Sequence, residues 1–218
     1  GLLVGMIIGA GMFALPYSVV QAGVAWSAVE FVLAALLVTG IDLLYGRVLY
    51  AEHARHRLPG YVYLHGSRFE YHAALISRLV SYFGYLIIYG LLAGFFLSSL
   101  FNSIPASVLS GVFFLVLAPL GAFKLRAVST ANLLLTAPLI LFMGALFYFG
   151  LPQFSFPNIP LGSPNGRWFL PYGVFLFAFS GASIIPEIVD LFGHKHRSAF
   201  RKAVVASTII VAVVYILF

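Results

Sequence analysis

Apolar residues run along this chain in blocks of about 20, the length that crosses the hydrocarbon core of a bilayer as a helix, and short polar or basic segments separate the blocks. Seven blocks fit that description: 2–21, 24–50, 74–101, 105–123, 128–150, 168–192 and 203–218. Each predicts a membrane-spanning helix, the last one barely long enough. The first block is not a signal peptide. No basic segment precedes it, and more apolar sequence rather than a cleavage site follows Pro16.

Two of the blocks are interrupted. Ile8-Gly9-Ala10-Gly11-Met12-Phe13-Ala14-Leu15-Pro16 breaks the first, and Phe177-Ala178-Phe179-Ser180-Gly181-Ala182-Ser183-Ile184-Ile185-Pro186-Glu187 breaks the sixth. Non-helical backbone at membrane depth is tolerated only where protein buries it or where it lines a cavity. Alternating assignment makes the first span run in to out and the sixth out to in. Two broken spans of opposite topology, five spans apart, are the mark of a five-plus-five inverted repeat and point to the binding site of a secondary transporter. Helical hydrogen bonding is therefore expected to lapse near residues 9–11 and 180–183, with the lapses facing each other at mid-membrane depth. The organisation expected is one transmembrane domain over 1–218, with a first repeat over about 1–150 and the start of a second over about 168–218. The chain begins at Gly1 and stops inside an apolar run at Phe218, so it is expected to be cut short after span 7.

Composition agrees. Hydrophobic residues make up 62% and charged residues 8%, with a mean hydropathy of +1.04, whereas soluble domains carry about 25% charged residues. The net charge of +6 is explained by where the cations lie. Arg47, Arg55, Arg57, Arg68, Arg78, Lys124, Arg126, Lys195, Arg197, Arg201 and Lys202 fall in or beside the loops 51–73, 124–127 and 193–202, and only Arg167 falls elsewhere. That bias places these loops and the N-terminus in the cytoplasm and removes the need for a nucleic-acid partner; a plasma (inner) membrane is expected. Trp26 and Trp168, the two tryptophans, then lie at the outer interface, where indoles prefer to sit. There is no cysteine, so no thiol chemistry.

Gly9-Ala10-Gly11-Met12-Phe13-Ala14-Leu15-Pro16-Tyr17, followed by Gln21-Ala22-Gly23, resembles the first helix of the amino acid/auxin permease and aromatic amino acid permease families. Phe177-Ala178-Phe179-Ser180-Gly181, followed by Pro186-Glu187, is similar to their sixth helix. These families belong to the amino acid–polyamine–organocation superfamily. The resemblance implies an all-α, LeuT-like inverted-repeat bundle, with about seven transmembrane helices present and helices 1 and 6 discontinuous. It implies amino acid transport by alternating access rather than enzyme activity, with an amino acid and the lipid bilayer as partners. No cofactor is expected beyond a coupling ion, Na+ or H+.

An amino acid presents a carboxylate and an ammonium. A half-helix starting after the first break exposes N–H groups and a positive dipole end, which suit an anion. Carbonyls ending the half-helix before the second break suit the ammonium. The resemblance assigns substrate contacts to Gly9, Ala10, Gly11 and Met12 and to Phe179, Ser180 and Gly181. The alternative for the glycines is tight helix packing, since Gly5-x-x-x-Gly9 is also a small-xxx-small motif. Tyr82, Tyr85 and Tyr89 share one face of span 3. They are either packing aromatics or, as in LeuT-like folds, donors to the substrate carboxylate. Gly90 and Gly94 read as helix packing. Glu187 follows Pro186 at the start of a half-helix, where a carboxylate caps N–H groups; as an intramembrane acid it is also a coupling or gating candidate. Glu30, about six residues into span 2, is the second such candidate, expected to pair within the bundle. Asp42 and Asp190 lie close enough to the cytoplasmic ends to be gate or interface groups. Span 5 carries Asn132 and Thr136 but no mid-membrane lysine of the kind some proton-coupled relatives use.

Rival readings carry less. Gly9-Ala10-Gly11-Met12-Phe13-Ala14 also fits a dinucleotide fingerprint, with Glu30 at a suitable distance, yet no strand–turn–helix context surrounds it and Pro16 enters the required helix early. His53-x-x-His56 and His194-x-His196 sit in basic loops without cysteines or clustered carboxylates. No H-E-x-x-H or G-x-S-x-G supports an intramembrane hydrolase. The alternatives from another class are an ion channel, which needs a continuous pore, and a non-transporting nutrient sensor on a transporter fold.

Overall fold

The computed structural model describes residues 2–52, 56–119, 138, 140–153, 160–164, 166–193 and 196–218. Asn132, Thr136, Lys124, Arg126, His53, Arg55, His194 and Lys195 lie outside the described residues. All regular structure among the described residues is helical. The chain divides into two compact units, one made of Gly1–His53 with Ser129–Phe218 and the other of Ala54–Val128.

The first unit opens with a short helix α1 (Leu2–Ile7), a 3₁₀ segment (Ala10–Ala14) and helix α2 (Leu15–Ala22). The long helix α3 (Val24–Ala51) follows. The same unit holds α7 (Ile140–Gly150), α8 (Leu170–Phe179), a second 3₁₀ segment (Ala182–Ile184), α9 (Ile185–Phe192) and α10 (Arg197–Leu217). Helix α3 is the spine, packed against α2, α8, α9 and α10. Its buried positions, Ser27, Glu30, Ala34, Val38, Asp42, Tyr45, Gly46 and Leu49, recur every three or four residues and form one stripe. Its other faces are apolar and open, with Leu33, Leu36, Ile41 and Leu44 all exposed. Only 22% of its most apolar window is covered by protein. Such a surface is stable against lipid and not against water.

Specific contacts hold the spine in place. The Phe31 ring meets the rings of Phe175 and Phe179 edge-on at 5.2 and 5.1 Å. Gly46 leaves room for the Phe200 ring of α10, and the Thr39 hydroxyl donates to Thr208 at 3.1 Å. At the α2–α3 corner, Gly23 has φ +81°, and a side chain there would run into the carbonyls of Leu161 and Gly162. The 160–163 loop fastens to this corner through Val24 N–H to Pro160 O (2.9 Å) and Ala25 N–H to Leu161 O (3.2 Å). Trp26 and Trp168 pack together at the same end, 5.6 Å between rings.

The second unit holds α4 (Leu58–His65), α5 (Arg68–Leu100) and α6 (Ala106–Leu117). A capping box starts α5: the Glu70 N–H donates to the Ser67 hydroxyl at 3.2 Å, and the Ser67 N–H donates to the Glu70 carboxylate at 2.6 Å. Helix α6 packs on the glycine face of α5. A methyl at Gly90 would meet the Phe114 ring, and one at Gly94 would meet Ser110 and the Ala106 carbonyl. The Ser110 hydroxyl donates to Gly90 O at 2.7 Å.

Among the described residues, four stretches are long and apolar enough to cross a membrane: Val24–Ala51, Arg68–Leu100, Leu170–Phe192 (which includes the second interruption) and Arg197–Leu217. Ala106–Leu117 and Ile140–Gly150 are apolar but shorter, and the first block is split by its break. The expected count of seven is therefore not reached among these residues. Two helices also start earlier than the apolar blocks suggest, at Arg68 and Arg197. The 51–73 loop contains α4.

Candidate functional site: two interrupted helices that meet

Both interruptions are present as backbone features. After α1 stops at Ile7, Gly9 is extended (φ −153°, ψ −155°), and a 3₁₀ turn with Met12 N–H donating to Gly9 O at 3.2 Å leads into α2. After α8 stops at Phe179, Ser180 is extended (φ −63°, ψ 110°) and a 3₁₀ turn over Ala182–Ile184 leads into α9.

The two lapses touch. A methyl group built on Gly11 would lie 2.8 Å from the Ala178 Cα and 2.8 Å from the Phe177 ring, and one on Gly181 would lie 3.0 Å from the Ile7 side chain. Each glycine is thus the point of close approach between one break and the other. The Tyr215 hydroxyl of α10 ties them together, lying 3.0 Å from Ile7 O and 2.9 Å from Ala178 O, all buried. These are carbonyls at helix ends, which lack intrahelical donors. One hydroxyl proton serves two carbonyl oxygens at this junction.

The candidate residues distribute as follows. Gly9, Ala10, Gly11 and Met12 form the first break, with Met12 completely buried. Phe179, Ser180 and Gly181 form the second. Phe179 is buried with its ring 5.5 Å from that of Tyr215, while Ser180 is half-buried. Gly11 faces Ala178 rather than open space, so in this conformation the breaks are closed on each other. Glu187 stands in the first turn of α9, half-buried, where its charge complements the helix dipole. Glu30 is buried on α3, and neither carboxylate oxygen has a hydrogen-bond partner among the described residues; the Tyr172 backbone approaches it without reaching hydrogen-bond geometry. The pairing expected for it is not made there. Asp42, expected to be a gate or interface group near the cytoplasmic end of its span, is 1% exposed. Tyr82, Tyr85 and Tyr89 belong to the second unit, where Tyr82 and Tyr89 are exposed and Arg78 Nε donates to the Tyr82 hydroxyl at 3.1 Å. No group of three or more metal-ligating side chains gathers among the described residues.

Tyr215 escaped the sequence reading. It stands in an ordinary apolar run, and only the packing of α10 against α1 brings it to the breaks.

Across the whole of residues 1–218 the chain matches the family described as transmembrane amino acid transporter proteins. It belongs to that family. Neither a curated protein nor a solved structure gives a significant match. Membership identifies an amino acid transporter embedded in a membrane as a multi-pass helical protein, in agreement with the motifs around Gly9–Pro16 and Phe177–Glu187.

Proposed function

We propose that the chain carries out secondary active transport of an amino acid by alternating access, on a LeuT-like inverted repeat whose first copy spans about 1–150 and whose second begins near 168. The observation that carries this reading is the meeting of two interrupted helices at Gly11–Ala178 and Ile7–Gly181, pinned by Tyr215. The substrate carboxylate is assigned to the N–H groups of Gly9, Ala10 and Gly11, and its ammonium to the carbonyls around Ala178–Ser180. Because the breaks are closed here, the substrate enters only when that contact opens, as alternating access requires. The N-terminus is assigned to the cytoplasm by the positive-inside bias. The coupling ion is H+ or Na+.

The test is uptake of a panel of labelled amino acids by the full protein in proteoliposomes, with proton and sodium gradients imposed separately. Accumulation of at least one amino acid under one gradient is expected. No uptake or exchange of any amino acid under either gradient overturns the reading.

A further inference from the structure

Among the buried acids, Asp42 has the most enclosed setting. It is 1% exposed, its Oδ1 has no hydrogen-bond donor among the described residues, and it makes no ion pair there. Its place on α3 is bracketed by contacts to α10. One turn before it, Thr39 bonds Thr208; one turn after it, Gly46 receives the Phe200 ring. Asp42 therefore lies on the stripe of α3 that α10 covers. The charged groups on elements packed against α3 are Glu187 and Asp190 on α9 and Arg197, Arg201 and Lys202 on α10; α2, α8 and α10 add Tyr17, Tyr172 and Tyr215. None of them is ion-paired or hydrogen-bonded to Asp42. Arg201 and Lys202 instead line an outer groove beside Leu43.

An ionised carboxylate sealed in that position without a partner is heavily penalised, whereas a neutral carboxyl group is not. A proton needs a single oxygen. We propose that Asp42 is the binding site of the coupling proton, held in the α3–α10 interface and released when that interface opens. This rests on the transport reading above and supplies its ion. The proton is taken by the Asp42 carboxylate from water on the loading side and returned from the carboxyl group to water on the other side. Helix α10 supplies the mechanical link. Its 200–208 stretch packs on the Thr39–Gly46 stretch of α3 that carries Asp42, and Tyr215, about 11 Å or more further along the same helix, holds the two breaks. Loosening α10 at Asp42 thus acts on the grip at Ile7 and Ala178.

The experiment compares wild type with Asp42→Asn in proteoliposomes, using a labelled amino acid that the wild type exchanges. Asp42→Asn mimics the neutral carboxyl group. Accumulation driven by a pH gradient is expected to fall about tenfold or more, while exchange of labelled for unlabelled substrate persists and loses its pH dependence. Wild-type accumulation with a wild-type pH profile in Asp42→Asn overturns the proposal, as does wild-type protein that accumulates substrate with a sodium gradient alone and not with a pH gradient. Should Asp42→Asn lose exchange as well, infrared difference spectra of the purified proteins decide: a protonated-carboxyl band present in wild type and missing in the variant supports the assignment, and its absence in wild type overturns it. Wild type that exchanges no amino acid counts against the transport reading, and the infrared band still decides whether Asp42 holds a proton.

Discussion

The two broken helices are built to one local plan and differ in the acidic residue of the first turn. α2 and α9 each have eight residues, each carries proline at its second position, and each ends on a glycine with positive φ and extended ψ: Gly23 at 81° and 152°, Gly193 at 68° and 163°. Proline belongs in a first turn, where its missing N–H is no loss. The extended, positive-φ exit is a conformation essentially reserved for glycine. The difference follows the proline. α2 has no acidic residue in its first turn, and α9 has Glu187. The positive end of α9 is thus met by the protein's own carboxylate, whereas no acidic residue stands in the first turn of α2. The asymmetry is what the proposed zwitterion site calls for, with the carboxylate at the first break and the ammonium at carbonyls of the second.

The comparison breaks most completely at Gly11. Gly11→Val forces side-chain atoms into the Ala178 backbone, at an expected cost of about 1–3 kcal/mol, and substrate binding should be lost while the protein still inserts. Substrate-induced thermal stabilisation of the purified variant measures this; wild-type affinity would show that Gly11 only packs.

The two exit glycines form a matched pair in unmatched surroundings. A side chain at Gly193 meets no neighbour among the described residues, so Gly193→Ala carries the backbone penalty, about 1–3 kcal/mol. At Gly23 the added methyl also strikes the carbonyls of Leu161 and Gly162. Gly23→Ala should therefore lower the melting temperature more than Gly193→Ala, and equal losses would mean that the 160–163 loop does not hold the corner.

Tyr215→Phe keeps the ring against Phe179 and removes the hydroxyl from both breaks. An unsatisfied buried carbonyl costs about 1–3 kcal/mol, which thermal unfolding in detergent should register. Exchange should change with it, because the grip between the breaks is gone.

Glu187→Gln is the mildest change. It keeps an acceptor and removes the charge, so the dipole contribution at stake is about 0.3–1 kcal/mol. Transport should fall little, with an unchanged pH profile. Loss of gradient-driven uptake with intact exchange would instead make Glu187 the protonation switch, in direct competition with Asp42.

What could be read from sequence alone follows from the range of the interactions. The breaks were legible because Gly9 and Gly11, Gly181, Leu15-Pro16 and Ile185-Pro186 disrupt apolar runs locally. The start of α5 was equally local, since Ser67 and Glu70 stand at capping-box spacing, but the apolar block began later and drew the boundary with it. Helix α4 was hidden because Leu58-Pro59-Gly60 reads as a turn, although Pro59 sits where a helix tolerates it. The roles of Tyr215 and Asp42 depend on which face of α10 or α3 is covered, and on partners far away in sequence. Hydropathy does not encode those contacts when every face of a helix is apolar.

The central claim is that an amino acid binds between the two breaks, and the chain's lack of cysteine makes it directly accessible to thiol labelling. Ser180→Cys places a thiol at the half-buried second break, and Ser198→Cys places one on the exposed start of α10. With the amino acid that the protein transports, labelling of Ser180→Cys should slow as the substrate concentration rises through its transport range, while labelling of Ser198→Cys stays constant. Equal labelling of Ser180→Cys with and without saturating substrate, in a variant that still transports, would contradict the account.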